Sequence, residues 1–316
     1  MVAAHTIEVS GSRVGHGRPD PDPLGAILKG VKHFAQDSVG MLFRGASRFR
    51  GSRPSWMRVA TDVRFVDMSR GGDGNTVLHF EAPRFGEVAG EVYEQGLLFG
   101  SLPEPQDTAF DLMGDVVNDV ALKVRDSEKY DVGILQRLER FKRPIFGHGV
   151  DELRLLGGRL PAANPRKIDL CVTAAATSLY QQTPAPVRSR LAGRLDMIRA
   201  SDKVFSLILK DGRQVRGIWL GDSIQPLREH VDQDVVVNGV VNFRPSGAVL
   251  RIDAEAVDAA GPADSFFSKL PAVTARLGRR QILQPQTSSA GMRAVFGKWP
   301  GEESDEEVLQ ALEDIE

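Results

Sequence analysis

Residues 188–258 read RSRLAGRLDMIRASDKVFSLILKDGRQVRGIWLGDSIQPLREHVDQDVVVNGVVNFRPSGAVLRIDAEAVD, and this stretch decides the fold. Apolar residues recur there at every second position, the period of a strand with one face buried. Leu191, Gly193, Leu195 and Met197 mark a first strand, and Phe205, Leu207 and Leu209 a second. Asp211-Gly212 has the chemistry of a two-residue hairpin turn, since glycine tolerates positive φ, and Val215, Gly217 and Trp219 carry the chain into a third strand. Asp222 is placed to cap a short helix with Pro226 in its early turn. Val235, Val237, Gly239, Val241 and Phe243 form a fourth strand, and Pro245-Ser246-Gly247 turns into a fifth from Val249 to Ala256.

Three strands, a helix and two strands in this order resemble an OB-fold, a small closed barrel, with an SH3-like barrel as the second candidate architecture. The module is similar to OB-like modules of uncharacterised bacterial proteins, a resemblance that implies no activity. Phe205, Trp219 and Phe243 share the parity of the inward residues, so the outer face offers no evident aromatic platform. Eleven basic and ten acidic residues leave the barrel nearly neutral.

Upstream, residues 1–183 read as a mixed α+β domain. Residues 5–10 alternate like a strand. Asp22-Pro23 reads as a helix start, and Leu24, Ile27, Leu28, Val31, Phe34 and Ala35 repeat at helical spacing, which predicts a helix to about residue 42. Strands are expected over 57–67 and 75–81, joined by Gly71-Gly72-Asp73-Gly74, with helices over 107–125 and 131–143 and strands over 151–156 and 167–173. Thr183-Pro184-Ala185-Pro186 is a stiff boundary before the barrel. Beyond it, residues 259–298 lose apolar periodicity and read as a flexible linker, apart from one helical turn near Phe266 and Phe267. The overall class is therefore α+β: an N-terminal mixed domain, a five-stranded OB-like barrel at 188–258, and a tail with a short helix.

The composition, 41% hydrophobic and 26% charged, is that of a globular chain. No apolar run is long enough to span a membrane, and the N-terminus lacks a secretory signal pattern. The single cysteine, Cys171, excludes an internal disulfide and a cysteine-rich zinc site, and is expected as a buried structural thiol in a strand. These features place the chain in a reducing bacterial cytoplasm. Charge is segregated: residues 299–316 hold eight acidic residues and no basic one, so 34 acidic residues face 40 basic ones in the remainder. Much of that basic excess falls in 24–58, where Lys29, Lys32, Arg44, Arg48, Arg50, Arg53 and Arg58 stand against Asp37 alone.

No phosphate-binding glycine loop, dinucleotide fingerprint, HExxH or GxSxG occurs. The six histidines are scattered without metal-ligand spacing, and neither a cofactor nor a metal is expected. The best catalytic arrangement is Asp111, Asp115 and Asp119, at i, i+4 and i+8 on one helix, a stack that could hold a divalent cation. At about 100° per residue these acids point away from Met113, Val116, Val117, Val120 and Val124, so a solvated face is the expectation. A metal-dependent enzyme built on them is the third reading.

Nucleic-acid binding is the second reading. In the basic segment 44–58, Arg44, Arg48, Arg50, Arg53 and Arg58 interleave with Phe49, Trp56 and the preceding Phe43, a mixture suited to phosphates and stacked bases, with or without the barrel.

The first reading rests on the tail. Ser304-Asp305-Glu306-Glu307 is a capping box, and Val308, Leu309, Leu312 and Ile315 form a narrow apolar stripe. So short a helix is marginal alone, and tethered amphipathic segments commonly order in a partner's groove. The stretch Gly297-Lys298-Trp299-Pro300-Gly301-Glu302-Glu303-Ser304-Asp305-Glu306-Glu307 resembles the Trp-containing C-terminal tails of bacterial antitoxins. That resemblance implies a non-enzymatic partner-binding protein, with a toxin nuclease as the partner and Trp299, Pro300, Val308, Leu309, Leu312 and Ile315 as anchors. The remainder of the chain departs from the pattern, because such antitoxins are usually short and carry a small DNA-binding domain.

Overall fold

The computed structural model describes residues 2–14, 17–48, 53–72, 74–161 and 163–271 of the 316. Five antiparallel strands make the N-terminal sheet: β1 (Val2–Ser10), β2 (Arg64–Arg70), β3 (Thr76–Pro83), β4 (Glu152–Gly157) and β5 (Arg166–Asp169), in the order β2-β3-β1-β4-β5. Strict alternation sends His5, Ile7 and Val9 of β1 inward with Leu78 and Phe80 of β3 and Leu153 and Leu155 of β4. Between β2 and β3 the Gly74 amide donates to the Gly71 carbonyl at 3.2 Å and the Gly71 amide to the Asn75 carbonyl at 2.8 Å; Asp73 of the expected turn lies outside the described residues.

Four longer helices supply the rest of this core: α1 (Pro21–Arg44), α5 (Ala109–Ala121), α6 (Val132–Arg140) and α7 (Leu170–Gln182). Three short ones, α2 (Ser55–Ala60), α3 (Phe85–Val88) and α4 (Gly90–Gln95), fill the intervals between β1 and α5. Phe34, Phe110, Met113, Val116, Leu135 and Leu179 lie with the inward strand residues in one apolar cluster.

Three local expectations give way here. Helix α1 starts at Pro21, one position before Asp22, with no side-chain cap, because Pro21 and Pro23 preset its first turn. The first part of the expected strand 57–67 is instead α2, where Met57 and Ala60 sit one turn apart and are both buried. The expected strand 167–173 ends at Asp169, whose Oδ1 accepts the Val172 amide at 2.8 Å and opens α7. Val172, Ala175, Ala176 and Leu179 then bury one helical face. Cys171, in the first turn of α7, is consequently exposed and not the buried thiol expected of a strand.

The barrel comprises β6 (Val187–Arg199), β7 (Val204–Ile208), β8 (Gln214–Trp219), α8 (Gln225–Arg228), β9 (Asp234–Phe243) and β10 (Val249–Ala259). It closes in the order β10-β8-β7-β6-β9, and β8 with β10 is its parallel pair. Counted within the barrel this is 1-2-3-5-4 returning to 1, the order of an OB-like barrel. Strand β6 is long enough to serve two neighbours, pairing with β9 through its first half and β7 through its second. Phe205, Trp219 and Phe243 are buried inside with Leu191, Leu195, Val237 and Ile252, as their parity required. Gly217 faces Phe205 across β7 and β8, and a Cβ there would strike the Phe205 ring.

Two details of turn chemistry differ. The β7–β8 loop is three residues, Lys210–Gly212, closed by the Leu209 amide on the Arg213 carbonyl at 2.9 Å, with Gly212 at φ +82°. At α8 the Ser223 hydroxyl, not Asp222, accepts the Gln225 amide at 3.1 Å. The expected turn near Phe266 is a 3-10 helix, Pro262–Ser268.

Sheet and barrel belong to one compact unit, joined largely by arginines. Arg251 of β10 donates to the Gly45 carbonyl at 3.0 Å, Arg199 of β6 to the Phe43 and Gly96 carbonyls at 2.9 Å each, and Arg244 to Glu128 at 2.6 Å. Arg216 of β8 lies over the Phe99 ring at 4.7 Å, and its burial, with other arginines near, pushes its pKa down to about 10. Among the described residues no helix is long and apolar enough to cross a membrane.

Candidate functional site

The three acids of α5 do not form the solvated face expected of them. Asp111 is 1% exposed and Asp119 9%. Thr108 caps α5, and Asp111 Oδ2 returns to the Thr108 amide at 2.9 Å, completing a capping box. The other carboxylate oxygen, Oδ1, accepts the Arg159 amide at 2.7 Å from the turn between β4 and β5. Asp119 accepts the Ser127 hydroxyl at 2.7 Å, with Lys129 at 3.5 Å. Helical geometry located these acids relative to the apolar stripe of their own helix. It carried no information about the segments near 108, 127 and 158 that fold over the opposite side.

Gly158 makes the Arg159 contact possible. Its φ of +60° lies in the left-handed region, and a Cβ there would come within 2.5 Å of Asp111 Oδ1. Beside it, His5 Nε2 meets the Thr108 hydroxyl at 3.0 Å and its ring stacks on Phe110 at 4.6 Å. Burial lowers the His5 pKa, with Asp111 partly opposing, so the ring is neutral near pH 7. His5, Thr108 and Asp111 thus connect in series, all three buried at the head of α5, an arrangement that suits a helix cap.

The cavity lies alongside. Arg159 reaches Asp107 Oδ1 with Nε at 2.7 Å and Asp115 Oδ2 with Nη2 at 3.2 Å. Asp107 is 2% exposed; burial raises its pKa and Arg159 opposes that rise. Burial likewise disfavours the Arg159 charge, but Asp115, Asp107 and Asp111 more than offset it and hold the guanidinium above its ordinary value. These groups border a cleft of about 250 Å³ between α1 and α5, with Ser38, Leu42, Leu102, Leu112 and Val116 among its walls. Tyr93 closes the loop behind it by donating to the Pro103 carbonyl at 2.9 Å. Among the described residues no three His, Cys, Asp or Glu side chains are grouped to hold a metal ion.

The basic segment is divided by the fold. Arg44, in the last turn of α1, is buried; Phe43 is buried and meets the half-buried Trp56 edge-on at 4.9 Å. Both rings thereby pack into the N-terminal core. Arg48 is exposed and donates to the Gly133 carbonyl at 3.4 Å, Arg58 is exposed on α2, and Arg53 is half-buried. Phe49 and Arg50 lie outside the described residues, as do Trp299, Pro300, Val308, Leu309, Leu312 and Ile315.

Ser38, Asp107 and Arg159 escaped sequence reading because they come from a helix, a loop and a hairpin turn far apart in the chain. One signal was present: Thr108-x-x-Asp111 is a capping-box pattern, and it marks Asp111 as a structural acid. No protein-family model matches the chain, and neither a curated protein nor a solved structure matches it.

Proposed function

We propose that this chain is a non-enzymatic, cytoplasmic binding protein that captures a protein partner through residues 299–316, in the manner of an antitoxin or adaptor. The observation that carries this reading is the tail itself: eight acidic residues and no basic one, a capping box, an apolar stripe of Val308, Leu309, Leu312 and Ile315, and Trp299 ahead of them. Apolar anchors supply most of the affinity in such a segment, and carboxylates supply steering and salt sensitivity. A nuclease toxin, with a positively charged nucleic-acid channel, is the partner chemistry that suits it. The sheet and barrel then act as scaffold.

Two observations bear on the other readings. Asp111 and Asp119, on which a metal-dependent enzyme would have rested, are engaged in hydrogen bonds with their own fold. Exposed Arg48 and Arg58 favour nucleic acid as the second ligand class, whereas Phe43 and Trp56 are packed in the core and withheld from base stacking.

Native co-purification tests the proposal, comparing the full chain with one ending at Lys298. A protein companion lost only from the shortened chain supports capture by the tail. Companions retained by both forms, or nucleic acid alone, overturn it.

A further inference from the structure

The lining of the α1–α5 cleft is too polar for a packing gap. Ser38, on α1, is 2% exposed, yet its Oγ has no hydrogen-bond partner among the described residues. A buried helical serine ordinarily returns its hydroxyl to the carbonyl four residues earlier. This one instead lines the cleft. Asp107, also buried, has Arg159 Nε 2.7 Å from its Oδ1.

Charge points the same way. Asp107 and Asp115 both pair with one guanidinium, Arg159, and exposed Glu104 adds a third acid at the rim. Lys129, the other cation at the rim, lies 3.5 Å from Asp119. The carboxylates that line the cleft, Glu104, Asp107 and Asp115, therefore outnumber its cations, Arg159 and Lys129. Leu42, Leu112 and Val116 make the remaining wall apolar, which a bare metal ion would leave uncovered.

We propose that this cleft is a binding site for a small organic cation, a primary ammonium on a short branched apolar stem. The nitrogen donates to Ser38 Oγ and to the Asp107 and Asp115 carboxylates, and the stem lies on Leu42, Leu112 and Val116. At about 250 Å³ the cleft has room for such a stem.

The test uses the full chain, isopentylammonium as probe and isovalerate as the anion of matching shape, followed by calorimetry and thermal melting at fixed ionic strength. The expected result is saturable binding of the ammonium with a matching rise in Tm, and none with isovalerate. Asp115→Asn should weaken binding tenfold or more. Ser38→Ala should weaken it severalfold while the unliganded Tm stays level or rises, because the hydroxyl it removes has no partner; a purely structural serine would lower that Tm. Three results overturn the proposal: no saturable binding at millimolar probe, equal binding of isovalerate, or affinity unmoved by both substitutions.

Discussion

Arg251 on β10 and Asp131 at the head of α6 form an ion pair at 3.4 Å with each side chain only 9% exposed. Asp131 is the busier partner. It accepts the Ser47 hydroxyl at 2.6 Å, the Ser47 amide at 3.1 Å and the Ile134 amide that caps α6 at 3.2 Å. One carboxylate therefore ties the barrel, the chain after α1 and the start of α6 together. Asp131→Ala should cost roughly 1–3 kcal/mol in urea denaturation, because it removes a helix cap and leaves the buried Ser47 amide and hydroxyl unpaired, while Arg251 keeps Asp253 at 2.8 Å and the Gly45 carbonyl. A single variant within about 0.5 kcal/mol of the parent, the range of ordinary surface substitutions, would deny the bridge.

Gly158→Ala tests the turn that delivers Arg159 to Asp111. The added Cβ meets left-handed strain and the Asp111 carboxylate together, so a loss of roughly 1–3 kcal/mol is expected. Gly72→Ala is the control, since nothing lies within 4 Å of its Cβ position. Equal melting of the two variants would contradict this account of Gly158.

The neutral, buried His5 predicts a pH dependence whose sign follows from its depressed pKa. The unfolded chain binds a proton near the ordinary imidazole value of 6.5, while the folded chain resists it. Stability is therefore unaffected well above pH 6.5 and falls as pH drops through that value toward the lower folded one. The raised pKa of Asp107 acts oppositely: the folded chain holds that proton more tightly, so acid lessens the cost of burying it. His5→Gln should flatten the decline in Tm between pH 7 and 5. An unchanged slope would mean that another group sets it.

For the tail, Leu312→Asp combined with Trp299→Ala should abolish partner capture and leave Tm unmoved. Loss of capture with a lowered Tm would show that the same residues help hold the fold.

If nucleic acid is the ligand instead, the acidic tail acts as a competing polyanion. The chain ending at Lys298 should then bind single strands more tightly than the full chain, most visibly at low salt. Unchanged affinity on removing the tail would speak against that reading.

The barrel was the most legible part because its signal is local. Alternation assigned Phe205, Trp219 and Phe243 to the interior, and the strand–helix–strand sequence matched the observed elements within a few residues. The helices at 55–60 and 170–182 were missed where short apolar runs carry both periods. In the second, the decisive event is one hydrogen bond from Asp169 to the Val172 amide. The candidate cleft was not legible at all, since no spacing rule connects Ser38, Asp107 and Arg159.

By itself the sequence determined what nearest neighbours along a chain can determine: strand parity, helix faces, turn positions, and the separation of a basic stretch from an acidic tail. Tertiary structure alone decided which order closes the barrel, that Trp56 serves the core, and that Asp111 and Asp119 lie beneath other segments. The physical reason is that periodicity reports the side a residue turns toward its own element's core. Burial of the opposite side depends on contacts between residues distant in sequence, and no local pattern encodes them.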